Sequence, residues 1–198
     1  MTERANHRII SVANQKGGVG KTTTAINLGT ALASINKKVL IVDLDAQGNA
    51  STGFGIEQKS RAHSTYDLIV GNLKLTEIMH KTQIPGLYIA PSTIDLSSAD
   101  IELVKTDRRS LKLRDSILAD NRLKEEFDFI LIDCPPALSL LTINAFTASN
   151  SVLVPLQAEF FALEGLSQLM ITIREVRAKL NPSIRIHGIL LTMYDKRN

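Results

Sequence analysis

The chain of 198 residues, 44% hydrophobic and 22% charged, has the size and composition of one ordinary globular domain with room for a full core. No apolar run is long enough to span a membrane, and Met1 to Arg8 is polar with no signal-peptide core. A single cysteine, Cys134, excludes an internal disulfide and suits a reducing cytoplasm; four dispersed histidines exclude a zinc or iron site of usual spacing; and a net charge of +3 permits an anionic polymer as partner.

Residues 1–8 read as a polar extension and 9–198 as a single domain. Ile9 to Ala13 is a short β-branched strand, Asn14 to Gly20 a glycine-rich loop, and Lys21 to Ile35 a helix with Ala25, Leu28, Ala31, Leu32 and Ile35 on its apolar face. Val39 to Val42 is a strand running into Asp43-Leu44-Asp45-Ala46-Gln47-Gly48-Asn49. Ser51 to Ser64, with Gly53 and Gly55, reads as a mobile loop. Thr65 to Val70 and Leu75 to His80 read as short helices, and Leu87 to Ala90 as a strand stopped by Pro91. Asp95 to Lys105 and Arg108 to Arg122 read as two amphipathic helices.

Phe127 to Ile132 is a buried-type strand ending at Asp133, before Cys134-Pro135-Pro136. A helix over Ser139 to Ser149, a strand over Val152 to Val154, a helix over Leu163 to Leu180 and a strand over Ile184 to Met193 complete the pattern. Short apolar strands alternating with helices predict an α/β fold, a doubly wound, mostly parallel sheet with helices on both faces. A covering helix usually follows such a final strand, so the domain reads as lacking its C-terminal part.

The chemistry collects at strand ends, where open α/β sheets bind ligands. Strand, glycine loop and helix, closing on Gly20-Lys21-Thr22, form a phosphate cradle. Glycines let backbone N–H groups approach an anion, Lys21 adds a mobile cation, and the Thr22 hydroxyl can ligate Mg²⁺. Gln15 stands where the usual formula has its first glycine, and a second lysine, Lys16, precedes Gly17-Gly18. Asp133, after four apolar residues, is placed to hold Mg²⁺ opposite Thr22. Asp45 is the candidate for positioning the attacking water, with Asp43 structural or behind the metal. Cys134 reads as a packed strand-end residue.

K-G-G-V-G-K-T-T resembles the deviant Walker A motif of the ParA/MinD ATPases. With D-L-D-A-Q-G-N, F-I-L-I-D-C-P-P and V-L-V-P-L-Q-A-E-F-F-A-L-E-G-L, the chain resembles ParA/Soj-type chromosome-partitioning ATPases from about Ile9 to Arg197. The resemblance implies Lys16 as the lysine that crosses to a partner's nucleotide and Lys21 as the phosphate lysine. It implies Asp45 as the catalytic aspartate, and ATP held over Gly17, Gly18, Val19, Gly20, Lys21, Thr22 and Thr23. Mg²⁺ would lie among Thr22, Asp45 and Asp133. It further implies slow ATP hydrolysis stimulated by a ParB-type protein, an ATP-dependent homodimer, non-specific DNA binding, a cytoplasmic, nucleoid-associated location and no membrane partner.

Thr192-Met193-Tyr194-Asp195 departs from the guanine-reading N/T-K-x-D motif, and the resemblance favours adenine, contacted around Pro155 to Glu159 and Met193. Basic side chains for DNA phosphates are offered by Arg174, Arg177, Lys179, Arg185 and Lys196, and by a second run, Lys105, Arg108, Arg109, Lys112 and Arg114. The family pattern singles out Arg197. Two other readings keep the same loop: a MinD-like membrane-positioning ATPase and a small-molecule kinase or synthetase.

Overall fold

The computed structural model describes residues 8–71, 73–159 and 162–195. The described strands are β1 (Arg8–Val12), β2 (Val39–Asp43), β3 (His80–Lys81), β4 (Leu87–Ala90), β5 (Phe129–Asp133), β6 (Ser151–Gln157) and β7 (Arg185–Thr192). They form one sheet in the order β3-β4-β2-β5-β1-β6-β7, parallel throughout except for the edge strand β3. The described α-helices are α1 (Lys21–Ser34), α2 (Asn49–Gly53), α3 (Thr65–Ile69), α4 (Leu75–Ile78), α5 (Ala99–Glu102), α6 (Lys112–Ala119), α7 (Asn121–Glu126), α8 (Leu140–Ala148) and α9 (Ala162–Lys179). None of them is long and apolar enough to cross a membrane.

The apolar runs follow from burial on both faces. In β2, Leu40 and Val42 join the larger core together with α3, α6 and α8, while Val39 and Ile41 face the cluster beneath α1. All five β2 residues are buried. This places the ends of β1, β2 and β5 side by side, with Val12 opposite Asp133 and Asp43 opposite Asp133 in register.

Several expectations are corrected. The inward face of α1 carries Ala25, Gly29 and Ala33; Leu28 and Leu32 pack partly, and Ile35 is 63% exposed. Small side chains win there because a Cβ on Gly29 would already press on Ile41 Cδ1. The expected helix over 95–105 is broken into 3-10 turns flanking α5. Ser98 Oγ donates to the Asp95 carbonyl at 2.7 Å, a local bond that competes with the helical ladder. The expected helix over 108–122 divides at Asp120, whose side chain accepts from Arg122 N–H at 3.2 Å and caps α7 instead. Residues 51–64, expected as a loop, hold part of α2 and a 3-10 turn and are tied down by Arg61. The polar dipeptide His80-Lys81 forms β3, which had no apolar signal.

Candidate functional site

The loop from Asn14 to Gly20 is fastened at both ends. Asn14 Nδ2 donates to the Pro155 carbonyl at 2.7 Å, and Asn14 Oδ1 accepts from the Lys16 N–H at 3.0 Å. β1 has ended by this point, so the Asn14 side chain continues the contact with β6. Pro155 lacks an N–H on that side, and no ladder bond is lost there. At the apex, Thr192 Oγ1 donates to the Val19 carbonyl at 2.9 Å. Gly18 (φ +73°) and Gly20 (φ +86°) adopt the left-handed conformation that lets the backbone turn into α1. No side chain caps α1 and no acid lies in its first turn, so its leading N–H groups remain available to an anion.

Lys21 is buried, and its Nζ donates to the Lys16 carbonyl at 2.8 Å. Burial lowers its pKa, while the charges of Asp133, Cys134 and Asp45 work against that shift. Lys16 turns to the other side of the loop, where its Nζ forms an ion pair with Glu159 beyond β6. Both side chains are about two-fifths exposed (39% and 42%).

Asp43 and Asp133 are fully buried on neighbouring strands. Asp43 Oδ2 accepts from Ser51 N–H at 2.9 Å and Ser51 Oγ at 2.6 Å, and Oδ1 accepts from Asp45 N–H at 3.2 Å. Burial raises its pKa and those bonds oppose the rise. Asp43 therefore builds the turn that presents Asp45. Asp45 is half-buried, its Oδ1 accepts from Gln47 N–H at 3.0 Å, and its carbonyl accepts from Gly48 N–H at 2.9 Å.

Neither carboxylate oxygen of Asp133 makes a hydrogen bond among the described residues. Burial, and after it the Asp43 charge, push its pKa up to about 7. The Thr22 hydroxyl, near enough to favour the ionised form but short of a proper bond, and Lys21 offset this in part. A buried carboxylate without partners, beside a threonine hydroxyl, has the chemistry of a hard-cation ligand.

Of the expected site residues, the structure gathers Gly17, Gly18, Val19, Gly20, Lys21, Thr22 and Thr23 on the loop and first turn of α1 at the carboxyl ends of β1, β2 and β5. Asp45 and Asp133 belong to the same electrostatic neighbourhood, since both act on Lys21. Met193, left-handed at φ +52°, lines a largely apolar cavity of about 610 Å³ with Gly20, Thr23, Leu28, Leu153 and Thr192. Pro155 does not line that cavity; it is buried in β6 with its carbonyl on Asn14. Cys134 is packed, with Sγ against the Ile132 carbonyl at 3.8 Å.

The second basic run is partly engaged. Arg108 pairs bidentately with Asp115, Arg109 donates to the Val104 carbonyl, and Arg114 donates to the Leu180 carbonyl. Arg197 and Lys196 lie outside the described residues. Sequence reasoning missed Ser51 behind Asp43, and it read Glu159 and Thr192 only as neighbours of the base, missing the pairing of Glu159 with Lys16 and the bond from Thr192 to the loop. Asn14 and Thr192 each open a stretch read from the sequence, but their bonds go to backbone carbonyls, which leave no trace in side-chain pattern.

A family model described as an AAA domain matches residues 7–186. The chain is 54% identical over 191 residues to the chromosome partitioning protein ParA of Caulobacter vibrioides, covering 96% of this chain and 71% of that protein. It is 50% identical over 190 residues to the sporulation initiation inhibitor protein Soj of Bacillus subtilis, covering 96% of this chain and 74% of that one. Among solved structures it is similar to cobyrinic acid a,c-diamide synthase from Mycobacterium smegmatis with bound ATP analog and magnesium. That match has a TM-score of 0.91 and 37% identity, covering 97% of this chain and 77% of the other.

Proposed function

The chain belongs to the ParA/Soj family of chromosome-partitioning ATPases, and from that premise we propose that it is a Mg²⁺-dependent ATPase. ATP drives its dimerisation and DNA binding in chromosome or plasmid segregation, and a ParB-type partner stimulates hydrolysis. One observation carries this reading: two lysines flank a glycine loop that faces a buried aspartate, both of whose oxygens are unpartnered among the described residues.

In this reading Lys21 and the N–H groups at the start of α1 bind and orient the phosphates. Thr22 and Asp133, with Asp45 nearby, would hold Mg²⁺, and the orphaned Asp133 oxygens fit that ion. When bound, Mg²⁺ neutralises charge developing on the phosphate oxygens. Asp45, held by the Asp43 turn, orients a water toward the γ-phosphate. Lys16 leaves Glu159 and reaches the nucleotide of a second copy. Met193 and Thr192 border the space offered to the base, with DNA phosphates met by basic side chains including Arg197.

The likeness to a synthase supports a second reading, transfer of the γ-phosphate to a small acceptor. Purified protein with ATP, Mg²⁺ and no acceptor separates the two. Phosphate release, ATP-dependent dimers and salt-sensitive DNA binding are expected. Turnover only on adding an acceptor, with the protein monomeric throughout, overturns the proposal.

A further inference from the structure

Arg61 follows α2 by eight residues and is only 9% exposed. Its guanidinium is paired with no carboxylate among the described residues. It is held by neutral oxygens: Nη1 donates to the Ser92 carbonyl at 2.8 Å, and Nη2 to the Ile56 carbonyl at 2.7 Å and Thr52 Oγ1 at 2.9 Å. Nε donates to the same Ile56 carbonyl at 3.1 Å, and Nη2 approaches the Gly48 carbonyl at 3.5 Å. Burying a cation is costly, and these acceptors satisfy its donors without neutralising it. They also share a location, bracketing the segment that begins at the Asp45 turn.

A second observation points the same way. Gly48 is left-handed at φ +61°, and a Cβ built there would collide with Arg61 Nη1 and lie 3.2 Å from the Ser92 carbonyl. Residue 48 thus lets the guanidinium lie flat against the backbone three residues after Asp45.

The contacts close into a ring. Asp43 holds Ser51, and Ser51 Oγ accepts from Ser92 N–H at 3.1 Å. Ser92 accepts from Arg61, and Arg61 holds Thr52, whose Oγ1 donates to the Gly48 carbonyl at 3.0 Å. Gly48 N–H returns to the Asp45 carbonyl.

We propose that Arg61 is a positioning residue for hydrolysis: by clamping Gly48, Thr52 and Ile56 to the end of β4 at Ser92, it fixes where the Asp45 carboxylate stands over the glycine loop. The inference rests on the reading of Asp45 as the residue that orients water. Arg61 acts through the Asp45 turn and not on nucleotide or metal. Loosening it affects the chemical step and leaves the hold on ATP intact.

The test uses Arg61→Gln, Arg61→Lys and Asp45→Asn. Without nucleotide, amide hydrogen exchange over residues 45–52 is expected to quicken about tenfold or more in Arg61→Gln, with β1 and β5 unchanged. With ATP and Mg²⁺, kcat should fall about tenfold while KM moves less than about twofold. Arg61→Lys should resemble Arg61→Gln, because a point charge cannot span acceptors arranged for a planar fork. Should Arg61→Gln not fold, Thr52→Val removes one acceptor and should shift kcat and local exchange in the same direction by about threefold.

Wild-type exchange and kcat in the Arg61 variants overturn the proposal. So does a rise in exchange across all strands with kcat and KM changing together, which marks a merely structural role. If Asp45→Asn hydrolyses ATP at the wild-type rate, the reading of Asp45 falls and takes the catalytic consequence with it. The exchange result still judges the clamp.

Discussion

Asp43 and Asp133 stand in register at the ends of adjacent strands, both fully buried, and their surroundings differ in one respect. Asp43 accepts three hydrogen bonds from Ser51 and Asp45, whereas Asp133 accepts none among the described residues. One carboxylate is consumed by building the turn; the other is kept open. Two like charges so placed disfavour each other's ionisation, which is why Asp43 contributes to the raised pKa of Asp133.

Stability without ligands should therefore fall as pH rises toward neutrality. Asp133 titrates near 7 in the folded chain against a usual 3.8. Between those values the native state holds a proton that the unfolded state has released, so this contribution is full below about 4 and gone above about 7. Denaturant unfolding at pH 5 and pH 8 should show a loss on the order of 2 kcal/mol that Asp133→Asn largely removes. Binding of Mg²⁺ with nucleotide should instead strengthen over the same range, because the cation needs the ionised form. An Asp133→Asn variant with the wild-type pH slope would remove Asp133 as the cause.

The strand ends were legible because their chemistry is written in side chains: apolar runs into Asp43 and Asp133, and glycines between two lysines. What escaped was written in the backbone or in space. Arg61 binds mostly carbonyls, which every residue carries, so no pattern announces it. The inward face of α1 was misread because apolarity pointed to Ala31 and Ile35, while close approach to β2 selects Gly29 and Ala33. Asp120 breaks a helix that its neighbours' periodicity would have continued, since its oxygen is better used as a cap.

The Lys16–Glu159 pair sets a limit on how hard it is to free Lys16. Both partners are well exposed, and such pairs contribute at most about 1 kcal/mol. Two such pairs are broken in a symmetric dimer, so Glu159→Gln should strengthen dimerisation driven by a non-hydrolysable ATP analogue by no more than about thirtyfold, or about fivefold per pair. Lys16→Ala should abolish that dimerisation while changing nucleotide affinity less than about threefold, because Lys21 stays in place. Sedimentation with and without the analogue measures both. Weaker pairing in Glu159→Gln would mean that Glu159 supports the bridge rather than competing with it.

Gly29 lets α1 approach β2, and this gives the fold's most local test. A Cβ there would stand 2.8 Å from Ile41 Cδ1 and 3.3 Å from Leu87 Cδ1, and both side chains are buried at 1% exposure or less. Alanine would gain about 1 kcal/mol in helix propensity over glycine. Overpacking a filled core costs about 1–3 kcal/mol, and Ile41 has little room to turn away. Gly29→Ala should thus lose about 1 kcal/mol overall, visible as a lower denaturation midpoint at unchanged slope. Ile41→Val removes the offending methyl, so the double variant should be more stable than the sum of its parts by about 1 kcal/mol. Strict additivity would show that the helix shifts bodily to accept the methyl, and that the close approach at Gly29 is not what seats α1 on the sheet.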